Sequence, residues 1–277
     1  MYRFFILSAL FFLLSCDDND PSPSFQYPLE SGKQWEYVRV LQATNFRPDS
    51  LAGDFEQPDT QIIQVQVKEP QVLKDSQEAY PLLATLSDQN DNRIFSLEFY
   101  RQDESGLYQV AYRPVGYIPV FPKRKGISFK YKGRVYGSLA ELSQTLPAGE
   151  TALLFLRSDS LIYNTPPRPA LKYPMAIGSR WIFTDEEFRI EKQITDYGTI
   201  NTAAGDFEAY TVQWLYYFDN SDKPDEDIAL SDFISEQGLL KRRLSVFNVV
   251  LTTETGEDAG YFDFYDTIEI TAIQTTK

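Results

Sequence analysis

The chain has 277 residues, 43% of them hydrophobic, enough apolar material for a packed core over most of its length. Its 26 Lys and Arg stand against 40 Asp and Glu, a net charge of −14, which leaves no basic footprint for DNA or RNA phosphates. With no histidine and one cysteine, it can build no imidazole-based triad, His-ligated zinc, thiolate cluster or intramolecular disulfide.

Residues 1–15 read as a signal peptide. Arg3 precedes an apolar run from Phe4 to Leu14 that only Ser8 interrupts. Such a run is too short to cross a hydrocarbon core of about 30 Å as a helix. Leu13-Leu14-Ser15-Cys16 resembles the lipobox of bacterial lipoproteins. That resemblance implies that Cys16 becomes the mature amino terminus and carries a diacylglyceryl thioether. Each buried acyl CH₂ contributes about 0.8 kcal/mol, so two or three chains hold a protein durably. A body without further thiols suits an oxidising compartment. The acidic tetrad Asp17-Asp18-Asn19-Asp20 resembles the export signal of surface lipoproteins in the Bacteroidota. It implies an outer-membrane, cell-surface location, with a periplasm-facing one as the alternative. Residues 16–26, with Pro21, Ser22, Pro23 and Ser24, then form a polar tether.

The body opens on Tyr27-Pro28-Leu29-Glu30-Ser31-Gly32-Lys33-Gln34-Trp35-Glu36-Tyr37, which recurs as Tyr173-Pro174-Met175-Ala176-Ile177-Gly178-Ser179-Arg180-Trp181-Ile182-Phe183. Glu78-Ala79-Tyr80 recurs as Glu208-Ala209-Tyr210, and Ser105-Gly106-Leu107 has a counterpart in Gln237-Gly238-Leu239. The order and spacing predict two tandem β repeats, 27–157 and 173–277. A Pro-rich linker, 158–172, joins them, and an insertion in the first copy is placed at 43–59. In each copy Pro and Gly make a turn that feeds a strand, and the Trp buries its ring at the strand's start.

Period-2 alternation predicts strands at 35–42, 63–67, 79–86, 94–101, 107–113, 127–136 and 151–157, then at 188–194, 210–218, 239–252 and 261–274. On 188–194, Phe188, Ile190 and Ile194 share one face and Arg189, Glu191 and Gln193 the other. Ser138-Leu139-Ala140-Glu141 has the capping-box form and predicts one short helix, with Pro147 just past its end. Residues 88–92 and 219–225 read as loops. No long amphipathic helices separate the strands, so the fold class is all-β, with predominantly antiparallel sheets arranged as a sandwich or curved half-barrel.

These stretches together resemble lipoproteins of the Bacteroidota that have no assigned activity. Their mature part opens with Tyr-Pro-Leu-x-x-Gly-x-x-Trp-x-Tyr and continues to an Ala-Gly-x-Phe-x-Ala-Tyr strand and a Gly-Leu turn. Here those are 27–37, 204–210 and 238–239. The resemblance implies class and location, and carries no catalytic residue over.

The densest carboxylate cluster, Asp219, Asp222, Asp225 and Asp227, supplies hard oxygen ligands for Ca²⁺ but lacks EF-hand spacing, and a solvated loop is the simpler reading. Paired carboxylates for glycoside hydrolysis require a separation that a sequence does not give. No Gly-x-Ser-x-Gly elbow, Ser-x-x-Lys or phosphate-cradling loop is present. Tyr108, Tyr112, Tyr117, Tyr216 and Tyr217 are candidate glycan platforms, or ordinary β-sheet aromatics. Lys123-Arg124-Lys125, continued by Lys130, Lys132 and Arg134, is a basic hairpin whose charges guard an edge or meet an anionic partner.

The expected protein is therefore a non-catalytic, lipid-anchored envelope lipoprotein with a binding or structural role. It needs no cofactor, meets the membrane through Cys16, and has a glycan or an envelope protein as its expected partner. A carrier for lipid or another hydrophobic ligand is one alternative. A carbohydrate-active enzyme or glycan-binding surface protein is another.

Overall fold

The computed structural model describes residues 25–54, 58–74, 77–87, 93–113, 128–148, 161–186, 188–253 and 255–275. Cys16, Tyr117, Lys123–Lys125, the loop 88–92 and the expected strand 151–157 lie outside them.

The all-β expectation holds. The strands are β1 (Lys33–Arg47), β2 (Asp59–Val67), β3 (Gln71–Val72), β4 (Glu78–Ser87), β5 (Arg93–Asp103), β6 (Gly106–Arg113), β7 (Ser128–Tyr131) and β8 (Arg134–Tyr136). They continue as β9 (Ile162–Lys172), β10 (Arg180–Asp185), β11 (Arg189–Thr202), β12 (Gly205–Tyr217), β13 (Ile228–Ser235), β14 (Gly238–Thr252) and β15 (Asp258–Thr275). One helix, α1 (Leu139–Ala148), and a 3₁₀ turn at Asp49–Asp54 complete the described elements.

The main strands form one antiparallel path in the order β10-β11-β12-β13-β14-β15-β1-β2-β4-β5-β6-β9. The chain therefore starts mid-sheet at β1 and winds outward to β9. It crosses to the far end at β10 and returns until β15 pairs with the free edge of β1, from Lys33↔Thr275 to Arg47↔Tyr261. Both halves of the sequence thus share one sheet, which curls into a nearly closed barrel rather than a sandwich.

The seam lies between β9 and β10, which form no ladder among the described residues. The Pro-rich stretch expected as a linker is the strand β9 itself. Pro166, Pro167 and Pro169 have no N–H, so a ladder on both sides is denied them and the strand sits at the end of the path. Side chains close the gap instead. Trp181 Nε1 donates to Pro169 O at 2.8 Å. Lys192 Nζ donates to Ala170 O at 3.1 Å, and Arg168 pairs with Glu186 at 2.8 Å.

The two Tyr-Pro-x-x-x-Gly-x-x-Trp stretches enter β1 and β10 alike. Gly32 and Gly178 take φ of 87° and 86°, a left-handed geometry that favours glycine. Their N–H groups donate to Val67 O and Ile194 O at 2.9 and 2.8 Å, and the next N–H closes the turn on Glu30 O and Ala176 O at 3.0 Å each. Gly106 and Gly238 each follow a two-residue turn, paired with Asp103 and Ser235 respectively.

Each end of the barrel is plugged. At one end α1 inserts Leu139, Leu142 and Leu146 among Leu41, Phe183, Trp214, Leu230, Leu244, Phe264 and the aromatics of the β7–β8 hairpin. The capping box is present: Glu141 N–H donates to Ser138 Oγ at 3.1 Å, and Gly137 N–H donates to Glu141 Oε2 at 2.7 Å. The helix extends to Ala148, so Pro147 falls inside its last turn rather than just past its end. The segment expected as an insertion is partly β1, which runs on to Arg47. At the other end Phe25 and Leu29 pack with Tyr173, Met175, Trp181 and Tyr210. Tyr27 N–H donates to the Tyr173 hydroxyl at 2.9 Å, tying the two opening stretches together.

Candidate ligand cavity

On five strands a charged residue interrupts the apolar inward face. On β1 the inward side chains run Trp35, Tyr37, Arg39, Leu41; on β11, Ile190, Lys192, Ile194; on β13, Leu230, Asp232, Ile234. On β14 Arg242 lies between Leu240 and Leu244, and on β15 Asp266 lies between Phe264 and Ile268. In each case the residue on one side belongs to the helix-plugged core and the residue on the other packs toward the amino-terminal plug. A belt of charge therefore crosses these five strands between two apolar ends.

The belt borders a cavity of about 410 Å³, within the range of small-molecule sites. Ile63, Val65, Leu82, Ala84, Leu86 and Ile268 make an aliphatic wall from β2, β4 and β15. Charged side chains from neighbouring and facing strands complete the lining. Five Lys and Arg line the cavity (Arg39, Arg113, Arg168, Lys192, Arg242) against three carboxylates (Glu98, Asp232, Asp266). Cations thus outnumber carboxylates in the lining.

Most of these charges are neutralised locally. Arg39 holds Asp266 in a fork, Nε–Oδ1 at 3.0 Å and Nη2–Oδ2 at 2.6 Å, and Nη2 also donates to Ser143 Oγ of α1 at 2.9 Å. Ser143 in turn donates to Asp266. Arg242 holds Asp232 with Nε–Oδ1 at 2.6 Å and Nη2–Oδ2 at 2.9 Å, and Trp214 Nε1 adds a third donor at 2.9 Å. Tyr100 donates its hydroxyl proton to Glu98 at 2.5 Å. Burial and the neighbouring Glu98 push the Tyr100 phenol well above its usual pKa, so it stays a donor. Burial first, then the Asp232 partner, govern Arg242, whose guanidinium stays charged.

Lys192 differs. Its ammonium sits 3.7 Å from the Trp214 ring centroid and 4.3 Å from that of Phe183, with Ala170 O as its hydrogen-bond acceptor. Burial lowers its pKa to about 7, against a smaller upward pull from Asp232. Next to it, the Arg168 guanidinium lies 5.8 Å from the Phe183 centroid and 5.9 Å from that of Tyr112. The Tyr112 hydroxyl is buried without a hydrogen-bond partner.

Asp232 and Asp266 are spent on bidentate ion pairs, and Glu98 accepts from Tyr100. No group of three or more metal-ligating side chains occurs among the described residues. Of the Ca²⁺ candidates, Asp219 and Asp222 are exposed in the β12–β13 loop, while Asp225 and Asp227 both bind Lys132 Nζ, at 2.7 and 3.1 Å. An ammonium thus occupies the place a cation would take. Lys132 and Gly133, both at positive φ, form the β7–β8 turn that aims it. Lys130 meets Asp258 at 3.7 Å, and the Arg134 guanidinium lies 5.7 Å from the Phe188 centroid. The described part of the basic hairpin is therefore engaged within the protein. Trp35, Trp181 and Trp214 are buried, as are Tyr112, Tyr216 and Tyr217; Tyr108 is half-buried. These aromatics build cores rather than an exposed stacking platform.

The sequence reading missed Arg39, Lys192, Asp232, Arg242 and Asp266. The signal was a single charge interrupting an otherwise apolar period-2 face. Lys192 between Ile190 and Ile194 is the plainest case.

No family model matches the chain, and no curated protein matches it. Two solved structures are similar. A protein of Bacteroides fragilis, classed by inference as exported and described as having a YmcC-like fold, is 13% identical, with 91% of this chain and 99% of that one covered and a TM-score of 0.33. A protein of Parabacteroides distasonis, classed by inference as a lipoprotein, is 11% identical, with 90% and 98% covered and a TM-score of 0.32. At these scores neither likeness bears on what the cavity holds.

Proposed function

We propose that this chain is a lipid-anchored envelope lipoprotein whose barrel binds a small amphipathic molecule and catalyses no reaction on it. The observation that carries this reading is the cavity of about 410 Å³, lined by an aliphatic wall and by charged side chains. The pairing of its carboxylates favours a holder over a hydrolase. Cys16 supplies the anchor, and the acidic tetrad that follows favours the outer face of the outer membrane. The paired opening stretches and their matched turns favour descent of the two halves from one repeated unit.

Two experiments test the proposal. The neutral apolar dye N-phenyl-1-naphthylamine is titrated into the wild type and into Ala84→Trp, which places an indole in the cavity. Saturable one-to-one binding that Ala84→Trp abolishes is expected; no binding, or binding indifferent to that substitution, refutes the cavity reading. Protease shaving of intact cells tests location, beside a Cys16→Ala control. Digestion of the wild type and loss of the control from the membrane fraction are expected. Membrane retention of the cleaved Cys16→Ala chain refutes the anchor.

A further inference from the structure

Lys192 is the belt cation with no carboxylate at ion-pair distance among the described residues. Arg39 has Asp266, Arg242 has Asp232, and Arg168 has Glu186. Lys192, 5% exposed, has one main-chain oxygen and two aromatic rings, and no ion-pair partner among the described residues. An ammonium buried this way is costly unless something pairs with it. The depressed pKa of about 7 reflects that cost.

An ammonium without an ion-pair partner calls for an acceptor oxygen bearing negative charge. An amine head would meet the cavity's excess of cations, and an alcohol would leave the ammonium unpaired. We propose that the ligand is an aliphatic carboxylate whose head lies against Lys192 and whose body lies along the Ile63, Val65, Leu82 and Leu86 wall. This inference rests on the cavity reading above and specifies its ligand.

The test is displacement of bound N-phenyl-1-naphthylamine at pH 6.5 by decanoate, decanol and decylamine, which share one chain and differ in the head. Decanoate is expected to compete at about tenfold lower concentration than decanol or better, the yield of a charge-assisted hydrogen bond, with decylamine weakest. Lys192→Met brings acid and alcohol within about threefold of each other. Equal competition by acid and alcohol overturns the inference and leaves the cavity reading standing. So does failure of decanoate to displace dye that Ala84→Trp excludes. An acid preference that survives Lys192→Met overturns the role of Lys192. Absence of saturable dye binding overturns both readings together.

Discussion

Replacing Asp266 by alanine tests whether the charge belt holds the barrel together. The Asp266 side chain is 6% exposed and that of Arg39 is 7% exposed. Asp266→Ala removes the forked acceptor of Arg39 at 2.6 to 3.2 Å and the acceptor of Ser143. What remains for the guanidinium is Ser143 Oγ at 2.9 Å and Gln61 Oε1 at 3.4 Å, neither of them charged. Stranding one partner of a buried pair costs about 3–5 kcal/mol. Against a total stability of roughly 5–15 kcal/mol, that is a large fraction. In a chain of this size it corresponds to a fall in Tm of roughly 6–20 °C. The assay is urea unfolding followed by circular dichroism, with a thermal melt beside it. Arg39→Met/Asp266→Leu, which removes both charges, should lie within about 2 kcal/mol of the wild type on either side, since apolar replacement of a buried pair is near neutral or stabilising. A loss below about 1 kcal/mol for Asp266→Ala would refute the reasoning, because it would mean that water reaches Arg39.

Three further outcomes are expected. Gly238 has a φ of 106°, and a Cβ there would lie 3.1 Å from Trp35 Cζ2, while Trp35 Nε1 is held by Gln237 O at 2.5 Å; Gly238→Ala should therefore cost about 1–3 kcal/mol in urea unfolding. Lys192 titrates near 7 in the folded protein and near 10.4 when unfolded, so between these values the unfolded chain holds the extra proton and stability rises with pH. From pH 7 to 9 that gain is about 2 kcal/mol from this group, and Lys192→Met should lose it; identical pH slopes for variant and wild type would contradict the burial of the ammonium. Because Lys132 already bridges Asp225 and Asp227, millimolar Ca²⁺ should leave Tm unchanged in a melt followed with and without chelator.

Alternation, the capping box and the glycine turns were local signals, and they placed most of the described strands and α1. Each depends on residues within a few positions of one another, where side-chain direction follows from the backbone period. β9 escaped because three prolines in a short stretch read as a linker. They are tolerated only at the end of a sheet path, and the sequence does not say which strand ends it. β13 escaped because Asp232 interrupts its apolar face, although Ile228, Leu230 and Ile234 keep the period.

The amino-acid sequence determined the strand content, the turns that feed β1 and β10, and the exclusion of histidine, thiolate and nucleic-acid chemistry, since all of these follow from composition or short-range pattern. Tertiary structure alone decided that β15 returns to β1 and that the halves make one barrel, because ladder partners far apart in sequence are chosen by closure. It also decided which charges share an interior. Arg39 and Asp266 are 227 positions apart, and Lys192 reaches its acceptor across the seam. No local window contains those neighbours, so the belt and its unpaired ammonium become legible only when the sheet has curled.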